Sequence, residues 1–190
     1  MDAPALRGER VVLRAMTRGD AERVADICSL PEVARWWGNR DVEFAAEKLD
    51  DPDLACWVVE LEGRVVGFVQ AYEEKDPEFR HAGLDLFLHP AVHGRGLGQD
   101  VVRMVAHHLI EGRGHHRLVI DPAAANTKAI HAYEAVGFRR VGVMRSYWWD
   151  HAEERWADGL LLDLLAGELG SPDEGFSAPT PRHEAADARE

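Results

Sequence analysis

The 190-residue chain has only two cysteines, Cys28 and Cys56, and they form no motif with each other. No disulfide is expected, both thiols should be reduced and buried, and neither sits in a nucleophile signature. Basic residues are also in short supply: 22 Lys and Arg stand against 34 Asp and Glu, a formal net charge of −12. Nucleic acid, which calls for basic patches that neutralise phosphates, is not an expected partner, whereas a cationic molecule suits this balance. No run of about 18 apolar residues occurs, and Met-Asp-Ala-Pro-Ala-Leu-Arg is not a basic-then-apolar start. Neither a membrane span nor a secretion signal is expected, and the location read from this is cytoplasmic. There is no internal repeat.

The length and apolar content suit one domain over residues 1–169, followed by an acidic tail over 170–190 whose Pro, Ala and charge without periodicity read as disordered. Glu9 to Met16 reads as an opening strand. Thr17 and Asp20 resemble a capping box before a helix to about Ser29, and Pro31 starts a short helix that ends in Trp36-Trp37-Gly38. Two adjacent tryptophans cannot both face one core, so one packs while the other covers a neighbour or walls a cleft. Asp41 caps a third helix through Leu49. Leu54–Leu61 and Arg64–Tyr72 form a hairpin through Glu62-Gly63, with Glu73 to Glu78 as a solvated charged loop. Two final strands, about Phe138 to Tyr147 and Arg155 to Leu165, are joined by a loop containing Trp148, Trp149, Asp150 and His151. The expected fold is a mixed α/β sheet, mostly antiparallel and twisted, of about seven strands with helices on both faces.

Residues 83–98 carry the most chemistry. Leu84, Leu86 and Leu88 alternate with Asp85 and Phe87 as in a strand, Pro90 ends it, and Gly94, Gly96 and Gly98 precede a helical period beginning near Gln99. A strand, a glycine turn and a helix N-terminus make an anion site, because backbone N–H groups can converge on a phosphate there. The spacing is neither the G-x-G-x-x-G of a dinucleotide fold nor a P-loop, which needs Gly-Lys-Ser/Thr. Further on, Pro122 ends a short strand, Asn126 is an N-cap, and Gly137 stops the helix that contains Ala129 and Tyr133. His107, His108, His115 and His116 are adjacent pairs without the i,i+4 spacing of helix metal ligands, so exposed histidines and no metal are expected.

The glycine turn resembles the acyl-CoA pyrophosphate loop of the GNAT N-acetyltransferases, Q/R-x-x-G-x-G/A, with His93 departing from it in the first place. Asn126, Ala129 and Tyr133-Glu134-Ala135-Val136-Gly137-Phe138 resemble that family's second block, and the likeness covers about residues 9–165. The chain is most similar to aminoglycoside 6′-N-acetyltransferases at Trp36-Trp37-Gly38, Gly67 to Tyr72, Gly83-Leu84-Asp85 and Asp121-Pro122. The resemblance implies acetyl-CoA as co-substrate, held by Leu86, Leu88, His93, Gly94, Arg95, Gly96, Leu97, Gly98, Asn126, Ala129 and Tyr133. It also implies a cationic small-molecule acceptor held by Trp36, Trp37, Gln70, Asp85 and Asp121. A monomer or a homodimer is expected, and the sequence does not choose between them.

Amine acetylation needs a base beside the ammonium and a donor for the leaving thiolate. Asp85, polar within an apolar strand, is the expected base. Tyr133, with an ordinary phenol pKa near 10, is expected to protonate the sulfur or to hydrogen-bond to it. Asp121 could hold a second amine. Other acceptors on the same frame are peptide or protein amines, a siderophore lysine or a polyamine, and a non-enzymatic alternative is an acyl-CoA-binding module.

Overall fold

Both residues of the Glu62-Gly63 turn have positive φ, 52° and 74°. That is the type I′ geometry whose twist matches a hairpin, and it closes β3 (Leu54–Leu61) onto β4 (Arg64–Glu74). The computed structural model describes residues 1–150 and 152–170. The expected tail lies, beyond Gly170, outside the described residues, as does His151. The other strands are β1 (Leu6–Arg7), β2 (Val12–Ala15), β5 (His81–Leu88), β6 (Arg117–Ile120), β7 (Arg139–Asp150) and β8 (Arg155–Leu165). They make one sheet in the order β1-β2-β3-β4-β5-β6-β8-β7, with β5 and β6 its parallel pair and the other neighbours antiparallel. The eighth strand, beyond the seven expected, is the two-residue β1.

The sheet is covered on both faces, so consecutive residues of its central strands enter different cores. Val69, Ala71, Leu84 and Leu88 pack with α4 (Leu97–His107) and α5 (Thr127–Glu134). Phe68 and Phe87 instead join the core of α1 (Ala21–Cys28), α2 (Pro31–Trp37) and α3 (Val42–Asp50). Asp85 is two residues from Phe87 and shares its face. Asp41 caps α3 by accepting from Phe44 N at 3.0 Å, and Asp20 accepts from Thr17 N at 2.8 Å ahead of α1.

Three expectations are corrected. β4 runs on to Glu74, and Glu73 is not a solvated loop residue: its carboxylate accepts from Arg113 Nε at 2.9 Å and meets His115 Nε2 at 2.8 Å. His115 is accordingly 2% exposed rather than on the surface, and the His108 ring packs edge-on against Trp57. β7 continues through Trp148, Trp149 and Asp150, which pair with Ala157, Trp156 and Arg155 where a loop was expected. No helix among the described residues is long and apolar enough to cross a membrane.

Candidate active site

The parallel strands β5 and β6 pair only at Ala82–Leu118 and Gly83–Val119. Beyond that point β5 runs on to Leu88, whereas β6 stops at Ile120 and Pro122, lacking an N–H, turns the chain toward β8. The two strands part there, and a cleft of about 1220 Å³ opens between them. Drug-sized sites span roughly 300–1,000 Å³, so this one has room for two molecules side by side.

Asp85 lines the cleft beside the parting strands. Its cross-strand partner is Gln70, whose Nε2 donates to Asp85 Oδ2 at 3.0 Å. Burial raises the Asp85 carboxyl above the ordinary carboxylate range, the Gln70 bond opposes that, and the Asp121 charge adds to it. Asp121 also lines the cleft and accepts from the Tyr147 hydroxyl. Among the described residues no Lys or Arg forms an ion pair with either carboxylate. Tyr133 reaches the cleft from α5, and burial followed by the two aspartate charges pushes its phenol well above 10.

At the other end, Gly94 and Gly96 have φ of 72° and 75°, and α4 begins at Leu97. The first intrahelical bond runs from Asp100 N to Gly96 O. The N–H groups of Leu97, Gly98 and Gln99 are therefore free of helical acceptors, and these three residues line the end of the cleft. Arg10 straps this turn, donating to Arg95 O and, through Nε, to Asp100 Oδ2 at 2.8 Å. His93 Nε2 lies 2.8 Å from Leu88 O; a carbonyl only accepts, so this nitrogen carries the proton and ties the turn to the end of β5. Asn126 Oδ1 accepts from Ala129 N at 3.3 Å.

A family model described as an acetyltransferase (GNAT) domain matches residues 10–139. The chain belongs to the GNAT acetyltransferase family. Aminoglycoside N(6′)-acetyltransferase type 1 of Klebsiella pneumoniae is 27% identical over 157 residues, which cover 72% of this chain and 77% of that protein. Mycobacterium smegmatis RimJ in complex with CoA-disulfide has a TM-score of 0.75 at 22% identity, over 85% of this chain and 84% of that one. Spermidine N-acetyltransferase from Vibrio cholerae in complex with CoA and spermine gives 0.73 at 20%, over 85% and 98%. At such identities the two structures speak for the fold.

In this GNAT domain the cleft gathers Trp36, Trp37, Asp85, Leu86, Leu88, His93, Gly94, Gly96, Leu97, Gly98, Asp121, Asn126, Ala129 and Tyr133 from distant parts of the chain. Gln70 and Arg95 are not brought to it. Gln70 is 8% exposed, sits behind Asp85, and keeps Oε1 buried without a partner. Arg95 offers the turn its carbonyl while its side chain points to solvent. Of the tryptophan pair, Trp37 packs edge-on against Phe87 at 5.0 Å and Trp36 lies under the Arg35 guanidinium at 4.7 Å.

Sequence reasoning missed Lys128, in the first turn of α5, and Tyr147, Trp148 and Trp149 of β7, all on the cleft wall. The Asn126 cap could have pointed to Lys128. No local signal marks Tyr147, because a bulge aims it.

Proposed function

We propose that the protein transfers an acetyl group from acetyl-CoA to a primary amine of a polycationic small molecule, the 6′-amine of an aminoglycoside, by direct transfer in a ternary complex. The observation that carries this reading is the pair Asp85 and Asp121 on one cleft, with no lysine or arginine in direct ion pair with either among the described residues. A substrate ammonium supplies the missing charge, and the 27% identical relative bears an aminoglycoside acetyltransferase name. A linear polyamine is the second reading, since a spermidine N-acetyltransferase shares the fold and the same carboxylates suit its amines.

The turn amides from Gly94 to Gly98 hold the pyrophosphate through the helix N-terminus, and Lys128 adds charge on the facing wall. Asp85 binds the ammonium and takes one proton from it, which frees the nitrogen lone pair; the nitrogen then bonds to the acyl carbon, and as the carbon–sulfur bond breaks its second proton passes to water. Its raised pKa makes it a stronger base than an exposed aspartate, provided the pH keeps it ionised. Tyr133 stays protonated at any working pH. A thiol ordinarily ionises near 8.5, so handing over the whole proton from a much weaker acid is uphill. Tyr133 therefore steadies the leaving thiolate by a hydrogen bond, and water protonates it. Neither Cys28 nor Cys56 lines the cleft, and burial pushes both thiols up to about 11. Their Sγ atoms face the carbonyls of Gly38 and Lys48.

The test is CoA release from acetyl-CoA, followed with a thiol reagent, against an aminoglycoside, spermidine and an alanine-ended peptide. The aminoglycoside should give the highest kcat/KM. Turnover of the peptide alone would move the acceptor to another class, and an acetyl-enzyme trapped by rapid quench would contradict direct transfer.

A further inference from the structure

Two features of β7 and β8 are not used by the chemistry above. Trp149 and Trp156 are cross-strand partners packed edge-on at 5.6 Å, and they are 41% and 58% exposed. Indole rings on a sheet surface normally turn inward, so two left open side by side mark a place where something binds. This one is continuous with the cleft, because Trp149 lines its mouth and Tyr147 lines its wall.

The second feature is a bulge. Met144 pairs with Gly159 and Trp148 with Ala157, so Arg145, Ser146 and Tyr147 stand against the single residue Asp158. Ser146 has φ of +51°, a strained conformation for serine. Asp158 holds it there, its Oδ1 accepting from Ser146 N at 2.8 Å, while its carbonyl accepts from Ala124 N at 2.9 Å. One residue thus pins the bulge to the loop that follows Asp121. Gly159 leaves room for the Tyr147 ring, since a Cβ there would come within 2.7 Å of Cδ1. The outcome is a phenol that donates to Asp121 Oδ2, with the tryptophan pair one strand step further out.

We propose that Tyr147, Trp149 and Trp156 form a stacking platform for the saturated rings of the acceptor, which makes the acceptor a multi-ring amino sugar. The inference rests on the acceptor half of the proposed function and adds to it the surface on which the acceptor's rings would lie. A sugar ring offers one face of C–H groups to an indole and its amines and hydroxyls to Asp121 and Tyr147. A linear polyamine has charge along its whole length and no such face. Asp158 is a positioning residue: it touches no acceptor and acts through Tyr147.

The experiment measures binding of a 6′-hydroxyl aminoglycoside, which cannot be acetylated at that position, by titration calorimetry with CoA present, and kcat and KM for a 6′-amine aminoglycoside and for spermidine. Trp156→Ala and Trp149→Ala should each weaken the ring ligand about five- to tenfold, the scale of one aromatic contact. Acetyl-CoA KM should stay constant, so the preference for the ring acceptor over spermidine falls. Trp156→Phe should restore most of it. Asp158→Ala should raise the ring acceptor's KM more than it lowers kcat, and Asp158→Asn, which keeps the accepting Oδ1, should not. Equal losses for spermidine and the ring ligand, no loss for either, or a wild type that binds no ring ligand would overturn the platform. A homodimer that Trp156→Ala dissociates with ligand binding intact would also overturn it. Ring-ligand binding that depends on the tryptophans, without acetyl transfer, would keep the platform and reject the proposed reaction.

Discussion

The two halves of the cleft are built in different ways. The half proposed for the cofactor is made mainly of backbone, two left-handed glycines, the first turn of α4 and the opened edge of β5 within residues 84–99, with Asn126, Lys128 and Ala129 of the α5 start lining the same cleft. The half proposed for the acceptor is made of side chains from α2, β5, the loop after β6, and β7, brought together across more than a hundred residues. Backbone donors need only the correct local conformation, so substitution there should change cofactor binding alone. Side chains gathered by the sheet depend on register, so substitution there should change acceptor binding or chemistry and leave the cofactor in place.

The largest expected effect is Asp85→Asn, which should lower kcat about 10²–10³-fold, the usual scale for loss of a general base, with acetyl-CoA affinity unchanged in a binding titration. The fold should not suffer. An acid whose folded pKa is raised favours folding only below its unfolded value and opposes folding once the pH rises through the folded one. Removing its charge should leave thermal stability at pH 7 equal or higher. For the same reason the acid limb of kcat/KM in the wild type should lie above 3.8, the value of an ordinary aspartate. Equal losses of turnover and cofactor affinity would erase the distinction between the halves.

Gly96→Ala probes the other half. A left-handed alanine costs roughly 1–2 kcal/mol, and its Cβ would lie 3.2 Å from Arg10 Nη2. Acetyl-CoA affinity should fall about tenfold with the acceptor KM unmoved. Tyr133→Phe should lower kcat by about fivefold to tenfold, one hydrogen bond's worth, rather than abolish it. Tyr147→Phe should raise the acceptor KM by about fivefold and leave kcat near wild type.

The cofactor half was legible because its signals are local. Glycine spacing, the stop at Pro90 and the Asn126 cap each have a conformational meaning within a few residues. Asp85 stood out as the polar member of an apolar strand. Gln70 was misplaced because its direction depends on the pairing of β4 with β5, which puts it opposite Asp85 and behind it. Tyr147 was passed over because the bulge at Ser146 breaks the period-two pattern on which strand reading depends, and the same break made Trp148 to Asp150 look like a loop. Glu73 and His115 were read as separate surface groups, since nothing local says that β4 passes beside the end of α4, where Arg113 joins them.

That cluster supplies the smallest expected effect and a control for both halves. Arg113 and His115 hold Glu73 at about 2, against 4.5 when free, and Arg14 holds Asp20 at about 2, against 3.8. The stability they contribute is present above those free values and is lost as the pH falls from about 4.5 toward 2. Thermal melts across that window should flatten in Glu73→Gln, with neither acetyl-CoA KM nor acceptor KM changed at pH 7.

The most direct test of the acceptor half is CoA release with two aminoglycosides that differ only in a 6′-amine or a 6′-hydroxyl, at saturating acetyl-CoA. Turnover with the amine and none with the hydroxyl is the predicted result, because only an ammonium engages Asp85 and only its nitrogen becomes nucleophilic there. Equal turnover with both would place the acetylated atom elsewhere and contradict the role given to Asp85.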